Sequence, residues 1–226
     1  MPASGDTASW ALSLGLCCAV GDWFAVARDS RRMEYLLKPA TLAFYVAAAW
    51  ALGSGDGHLR AWFVPALVLS LIGDIFLMLP GTRWFLPGLV TFLAGHLCYI
   101  VGLNRVPPPI QASVLLVPAL AMAAAFLPRL VRGAERQGRG NLKWPVVGYG
   151  VVLSLMLMSA WATWFRLDWS VGARLAACAG GTLFYASDLM LAWFEFVRRS
   201  KALQVAVIVT YHVGQLVLVL VVGLYP

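Results

Sequence analysis

This chain reads as an all-α, polytopic membrane protein: a bundle of about eight transmembrane helices forming a single domain over residues 1–226, with a polar cavity toward the cytoplasmic side. Three features point there. Hydrophobic residues make up 61% of the chain and charged residues 12%, with a mean hydropathy of +0.79. Soluble domains lie near about 45–50% and about 25%. The apolar residues fall into runs of about 20, long enough to cross a hydrocarbon core at about 1.5 Å per helical residue. Finally, a few charged residues stand inside those runs at a shared depth, where each carboxylate costs roughly 2.5–3.5 kcal/mol to insert.

Cutting at charges and at Gly/Pro clusters leaves eight spans, at 8–27, 33–52, 61–79, 84–103, 112–130, 144–165, 171–196 and 202–224. The first carries an apolar stretch over 10–20 with no positive segment before it, and Asp22 follows before any small-residue cleavage site, so it reads as a retained span. The second holds Lys38 next to Pro39, and the third holds Asp74. The fourth places His96 and Tyr99 on one face. After the fifth comes the longest connection, 129–143, whose basic and glycine-containing composition is that of a surface loop. The sixth begins at Trp144, one of several tryptophans near span ends that an aromatic belt explains. The seventh contains Gly180-Gly181 and Asp188, and the eighth contains Tyr211, His212 and Gln215.

The basic residues set an expected orientation. Connections after spans one, three, five and seven carry twelve lysines and arginines, and the opposite side carries four, Arg60, Arg105, Arg166 and Arg174. By the positive-inside rule both termini face away from the cytoplasm, as in an integral protein of a cell (inner) membrane. The net charge of +7 then belongs to the cytoplasmic face, where membrane lipids with anionic headgroups are its partners. Nucleic acid is excluded, because the basic residues lie in short juxtamembrane loops without interleaved aromatics.

Lys38 lies about 9 Å below the cytoplasmic edge at helical rise. Asp22, Asp74 and Asp188 stand about six to nine residues before the cytoplasmic ends of their spans, which is a similar depth. His96, Tyr99, Tyr211 and His212 lie deeper. At least four spans thus aim polar groups at one layer, the pattern of a cavity, since a lone charge facing lipid would be expelled or paired. Each acid follows a small residue, Gly21, Gly73 or Ser187, which allows a neighbouring helix to approach closely.

Several chemistries lack their residues. Cys17, Cys18, Cys98 and Cys178 all fall within spans, where cysteine acts as a small hydrophobe. No His-x-x-x-His or Cys-x-x-Cys spacing occurs, so neither a metal nor another cofactor is expected, and no Gly-x-Ser-x-Gly elbow supports a serine lipase.

The segment from Ser70 through Gly73-Asp74 to Met78 resembles, together with other motifs, the YhhN-type lysoplasmalogenase family. The other motifs are Lys38-Pro39, His96 with Tyr99, Leu183 to Leu189 around Ser187-Asp188, and Thr210-Tyr211-His212-Val213-Gly214-Gln215. Their order and spacing match over most of the chain. The resemblance implies a membrane hydrolase that cleaves the vinyl ether of a lysophospholipid substrate, a lysoplasmalogen, to a fatty aldehyde and a glycerophospho-base. It carries the family's paired acids onto Asp74 and Asp188, and other motif positions onto Lys38, His96, Tyr99, Tyr211 and Gln215. Asp22 and His212 depart from the pattern and take no role from it.

The chemistry suits these residues. Vinyl ether hydrolysis needs a proton delivered to the carbon distal to oxygen, stabilisation of the resulting oxocarbenium ion, and an oriented water. Two carboxyls close together in a low-dielectric site do not both ionise, so the pair is expected to hold one proton, with either aspartate as the acid. Lys38 would hold the substrate phosphate or pair with a carboxylate. His96, Tyr99 and Gln215 would orient the acids. The rival reading is a proton-coupled carrier, for which Gly180-Gly181 would break the seventh helix.

Overall fold

A computed structural model describes residues 3–53 and 57–225. Eight long α-helices account for nearly all of them: α1 Ala3–Ala27, α2 Arg31–Ala51, α3 His58–Met78, α4 Phe85–Leu103, α5 Leu116–Arg136, α6 Lys143–Ala162, α7 Val171–Phe196 and α8 Lys201–Leu224. The protein is an all-helical integral membrane bundle. Seven stretches are long and apolar enough to span a membrane, and α2 falls short because its first two turns hold Arg31, Arg32, Glu34 and Lys38. The expected spans match the helices closely except the fifth. There residues Ile110–Leu115 form a 3-10 turn and the α-helix runs on to Arg136, into the expected loop.

Local sequence accounts for several ends. Ser170 and Ser200 cap α7 and α8, their hydroxyl oxygens accepting from the amides of Ala173 and Leu203. Prolines 39, 65 and 128 lie within α2, α3 and α5, and their lost amide bonds are tolerated where neighbouring helices support the chain.

Helix packing closes a ring in the order α1, α2, α3, α4, α6, α7, α8 and back to α1, with α8 also touching α2 and α3. Helix α5 sits outside this ring against α6 and α7. Only 11% of its apolar window is buried in the protein, against 50% for α8. Glycines permit a tight seam between α7 and α8: a Cβ on Gly214 would lie 3.0 Å from the Phe184 amide nitrogen, and one on Gly180 3.0 Å from that of Leu218. Gly180-Gly181 therefore serves close packing within a continuous α7 rather than a break.

The ends of the helices sort as the basic residues suggested. At one end Lys201 of α8 bonds the Val26 carbonyl and Asp29, Tyr35 bonds the Met78 carbonyl, and Arg139 pairs with Glu195. At the other, Arg166 bonds the Val106 carbonyl and Ser170 that of Leu224.

The seam glycines generate a contrast. Gly214→Ala should lower the thermal midpoint in detergent, corresponding to about 1–3 kcal/mol of overpacking against backbone that cannot yield. Gly148→Ala should leave it level or raise it, since a Cβ there meets nothing within 4 Å. A Gly214→Ala midpoint at or above wild type would show that the seam is looser than described.

Candidate active site

Lys38 of α2, Asp74 of α3, Asp188 of α7 and Tyr211 of α8 share the wall of one cavity of about 530 Å³. Its mouth lies at the basic end of the bundle, among Asp29, Arg31, Glu34, Glu195, Arg199 and Gln204. Both acids are buried, Asp74 at 1% exposure and Asp188 at 7%.

The two carboxylates have different partners. Asp74 is gripped on both oxygens: Oδ1 lies 2.9 Å from Lys38 Nζ, and Oδ2 accepts the Tyr211 hydroxyl at 2.7 Å. The Lys38 ammonium also stands 5.9 Å from the centre of the Tyr211 ring. Asp188 is held on one oxygen only, Oδ2, which accepts the Tyr149 hydroxyl and lies 3.2 Å from His96 Nε2. On the far side of that imidazole, Nδ1 is 2.8 Å from the Phe92 carbonyl oxygen. A carbonyl only accepts, so the proton on Nδ1 is fixed and Nε2 is the nitrogen that faces the acid.

Packing places these groups. A Cβ on Gly21 would meet Leu37 of α2 at 3.0 Å, and one on Gly73 would meet Phe92 of α4 at 2.6 Å. The Ser187 hydroxyl donates to the Val207 carbonyl of α8 at 3.0 Å. All three small residues beside the acids thus admit a neighbouring helix. Behind Asp74 the Tyr99 hydroxyl donates to Gln215 Oε1 at 2.6 Å, and Gln215 Nε2 donates to Ser70 Oγ at 3.1 Å, tying α4, α8 and α3 one turn below the acid.

The expected site residues therefore divide. Lys38, Asp74, Asp188 and Tyr211 line the cavity. His96, Tyr99 and Gln215 do not line it and are essentially fully buried, so they support the wall instead of touching its contents. The expectation of one proton held between the two aspartates meets a different geometry, because Lys38 and Tyr211 occupy Asp74 while His96 and Tyr149 occupy Asp188. Asp22 is fully buried off the cavity, and neither of its oxygens has a hydrogen-bond partner among the described residues. His212 is also fully buried, and its Nδ1 accepts the indole N–H of Trp23, the residue after Asp22, at 3.2 Å. Tyr149 was not expected. Its signal is the flanking pair Gly148 and Gly150, the same small-neighbour pattern that marks the acids.

Residues 33–222 match the model of the YhhN family. The chain belongs to that family. The matched range takes in every cavity residue from Lys38 to Tyr211 and leaves out Asp22. Among relatives, a lysoplasmalogenase of Mycobacterium tuberculosis (strain CDC 1551 / Oshkosh) is 34% identical over 190 residues, covering 81% of this chain and 69% of the relative. The mouse lysoplasmalogenase TMEM86B is 31% identical over 88% of this chain and 78% of its own length. Its human counterpart is 26% identical over 95% and 87%. No solved structure matches.

The buried ion pair can be tested on stability. Lys38→Met leaves Asp74 uncompensated and should destabilise the bundle by about 3–5 kcal/mol, whereas adding Asp74→Asn should recover much of that loss. Additive losses in the double variant, read from thermal midpoints in detergent, would mean that the two side chains are not coupled.

Proposed function

We propose that this YhhN-family protein is a lysoplasmalogenase: with one water it hydrolyses the vinyl ether of a single-chain glycerophospholipid to a fatty aldehyde and a glycerophospho-base. The family match and relatives that carry this activity in their names support the reaction. The observation that carries the mechanism is the unequal holding of the two aspartates.

His96 Nε2 stands 3.2 Å from Asp188 Oδ2 without a hydrogen bond between them, close enough to relay a proton to and from the carboxyl. Asp188, which has no lysine or arginine paired with it among the described residues, is the acid. It delivers the proton to the alkenyl carbon distal to oxygen, and the ether carbon becomes an oxocarbenium ion. Asp74, with both oxygens engaged, serves as the fixed anion that stabilises the cation and orients water. Water adds to the ether carbon and its released proton returns to Asp188 and His96. The hemiacetal then breaks its bond to the glycerol oxygen, which takes up a proton as the hydroxyl loses one, and the aldehyde leaves. Tyr149 steadies Asp188 by donating to the same oxygen that faces His96. His96 is a positioning and proton-relaying residue rather than one that touches substrate.

Lys38 is committed to Asp74, so the headgroup falls to the mouth. Arg31 and Arg199 are exposed cations there, suited to the phosphate, while Glu34 and Glu195 suit a choline or ethanolamine cation. This end faces the cytoplasm if the positive-inside bias holds, with both termini on the other side. A carrier reading loses the helix break it drew on, because α7 runs unbroken through Gly180-Gly181, and the named relatives are lysoplasmalogenases.

Purified in detergent, where there is no compartment to transport across, the protein should release aldehyde from a lysoplasmalogen. Asp188→Asn and Asp74→Asn should each lower kcat by at least about a hundredfold. Near-normal turnover in either variant would remove the mechanism. His96→Gln should lower kcat and shift its pH profile while leaving KM close to wild type, and an unaltered profile would remove His96 from the proton relay.

A further inference from the structure

A second cavity, of about 340 Å³, meets the catalytic one at Asp188. The two share Leu77, Phe85, Phe92, Asp188 and Leu191 in their walls. The second lies between α4, α5, α6 and α7, and apart from Asp188 and the tyrosines 149 and 185 its walls are hydrocarbon. Part of the space exists because small residues face it, Ala123 and Ala124 on α5 and Gly150 on α6. A Cβ added at Gly150 would meet nothing within 4 Å.

We infer that this cavity is the tail site of the enzyme: it takes the single alkenyl chain of the substrate and thereby sets which chain lengths are hydrolysed. The inference rests on the vinyl ether reading above and extends it. A charged headgroup is excluded from such a wall by desolvation, whereas a hydrocarbon chain loses nothing there. The vinyl ether is the link between chain and glycerol. With the chain in the apolar cavity and the phosphate at the polar mouth, that link lies at the shared wall, against Asp188. The chain arrives sideways from the bilayer. Leu120 and Ala124 line the cavity and are also exposed on the outer surface of the bundle, and α4 and α5 flank it without packing extensively on each other. The outlying position of α5 thus has a use: it forms the outer wall of a slot for one chain.

Gly150→Leu tests this, because the substitution fills the slot from open space and has no backbone to displace. The measurement is the ratio of kcat/KM for a long-chain lysoplasmalogen to that for a short-chain one, alongside inhibition by a saturated alkyl ether lysolipid of each length, which has the tail but no vinyl group. Gly150→Leu should lower the ratio at least about tenfold, through KM, and weaken inhibition by the long alkyl ether to match. Gly148→Leu, on the same helix but off the cavity, should leave the ratio where it was. A ratio unmoved by Gly150→Leu, or moved equally by Gly148→Leu, overturns the tail site while aldehyde release by the wild type still stands. Wild type that releases no aldehyde but shows long-chain-selective alkyl ether binding, lost in Gly150→Leu, overturns the hydrolase reading and keeps the slot as a lipid site. A thermal midpoint for Gly150→Leu at or above wild type shows that the variant is folded.

Discussion

The ion pair between Lys38 and Asp74 is the contact on which the rest of the bundle's chemistry depends. A cation and an anion at hydrocarbon depth are each expensive alone, and each is tolerated because the other lies 2.9 Å away. The pair joins α2 to α3, and the Tyr211 hydroxyl extends it to α8. The helices that enclose the cavity are therefore held by the same charges that the cavity needs. Such a pair adds little net stability over apolar packing, but it fixes the position of one carboxylate in the cavity wall.

Around that fixed carboxylate the second acid acquires a different character. Asp188 has no cation; it has an imidazole whose outer nitrogen is already committed to a backbone carbonyl, and a phenol. One aspartate is thus paired with a cation and the other with an imidazole and a phenol, although their sequence surroundings are alike. In the proposed reaction that difference answers the need to protonate the alkene carbon while positive charge grows a bond away. The cavities follow the same logic: charge and hydrocarbon are sorted to either side of Asp188, as an amphipathic single-chain substrate demands.

Much of the site was legible in the sequence because the membrane makes polar residues conspicuous. Lys38, Asp74 and Asp188 stand out in apolar runs, and equal depth along helices of known rise placed them in one layer. The small residue before each acid pointed correctly to a close helix contact. Depth, however, says nothing about rotation around the bundle. His96, Tyr99 and Gln215 lie deeper than the acids and turn into packed interfaces, and Tyr149, a half-buried phenol, gave no charge to notice. Asp22 shows the opposite failure, having the depth and the charge yet lying off the cavity.

By itself, then, the sequence determined that this is a helical membrane bundle, where its spans lie, which end is basic, and which few side chains must find partners, because hydropathy and helical rise are properties of a single chain. Tertiary structure alone decided the partnerships. Whether Lys38 meets Asp74 or a phosphate, which aspartate faces the imidazole, and where α5 stands off to leave a slot all depend on how helices far apart in sequence pack. Those choices are made by glycine seams and ring contacts between helices, which no periodicity within one segment encodes.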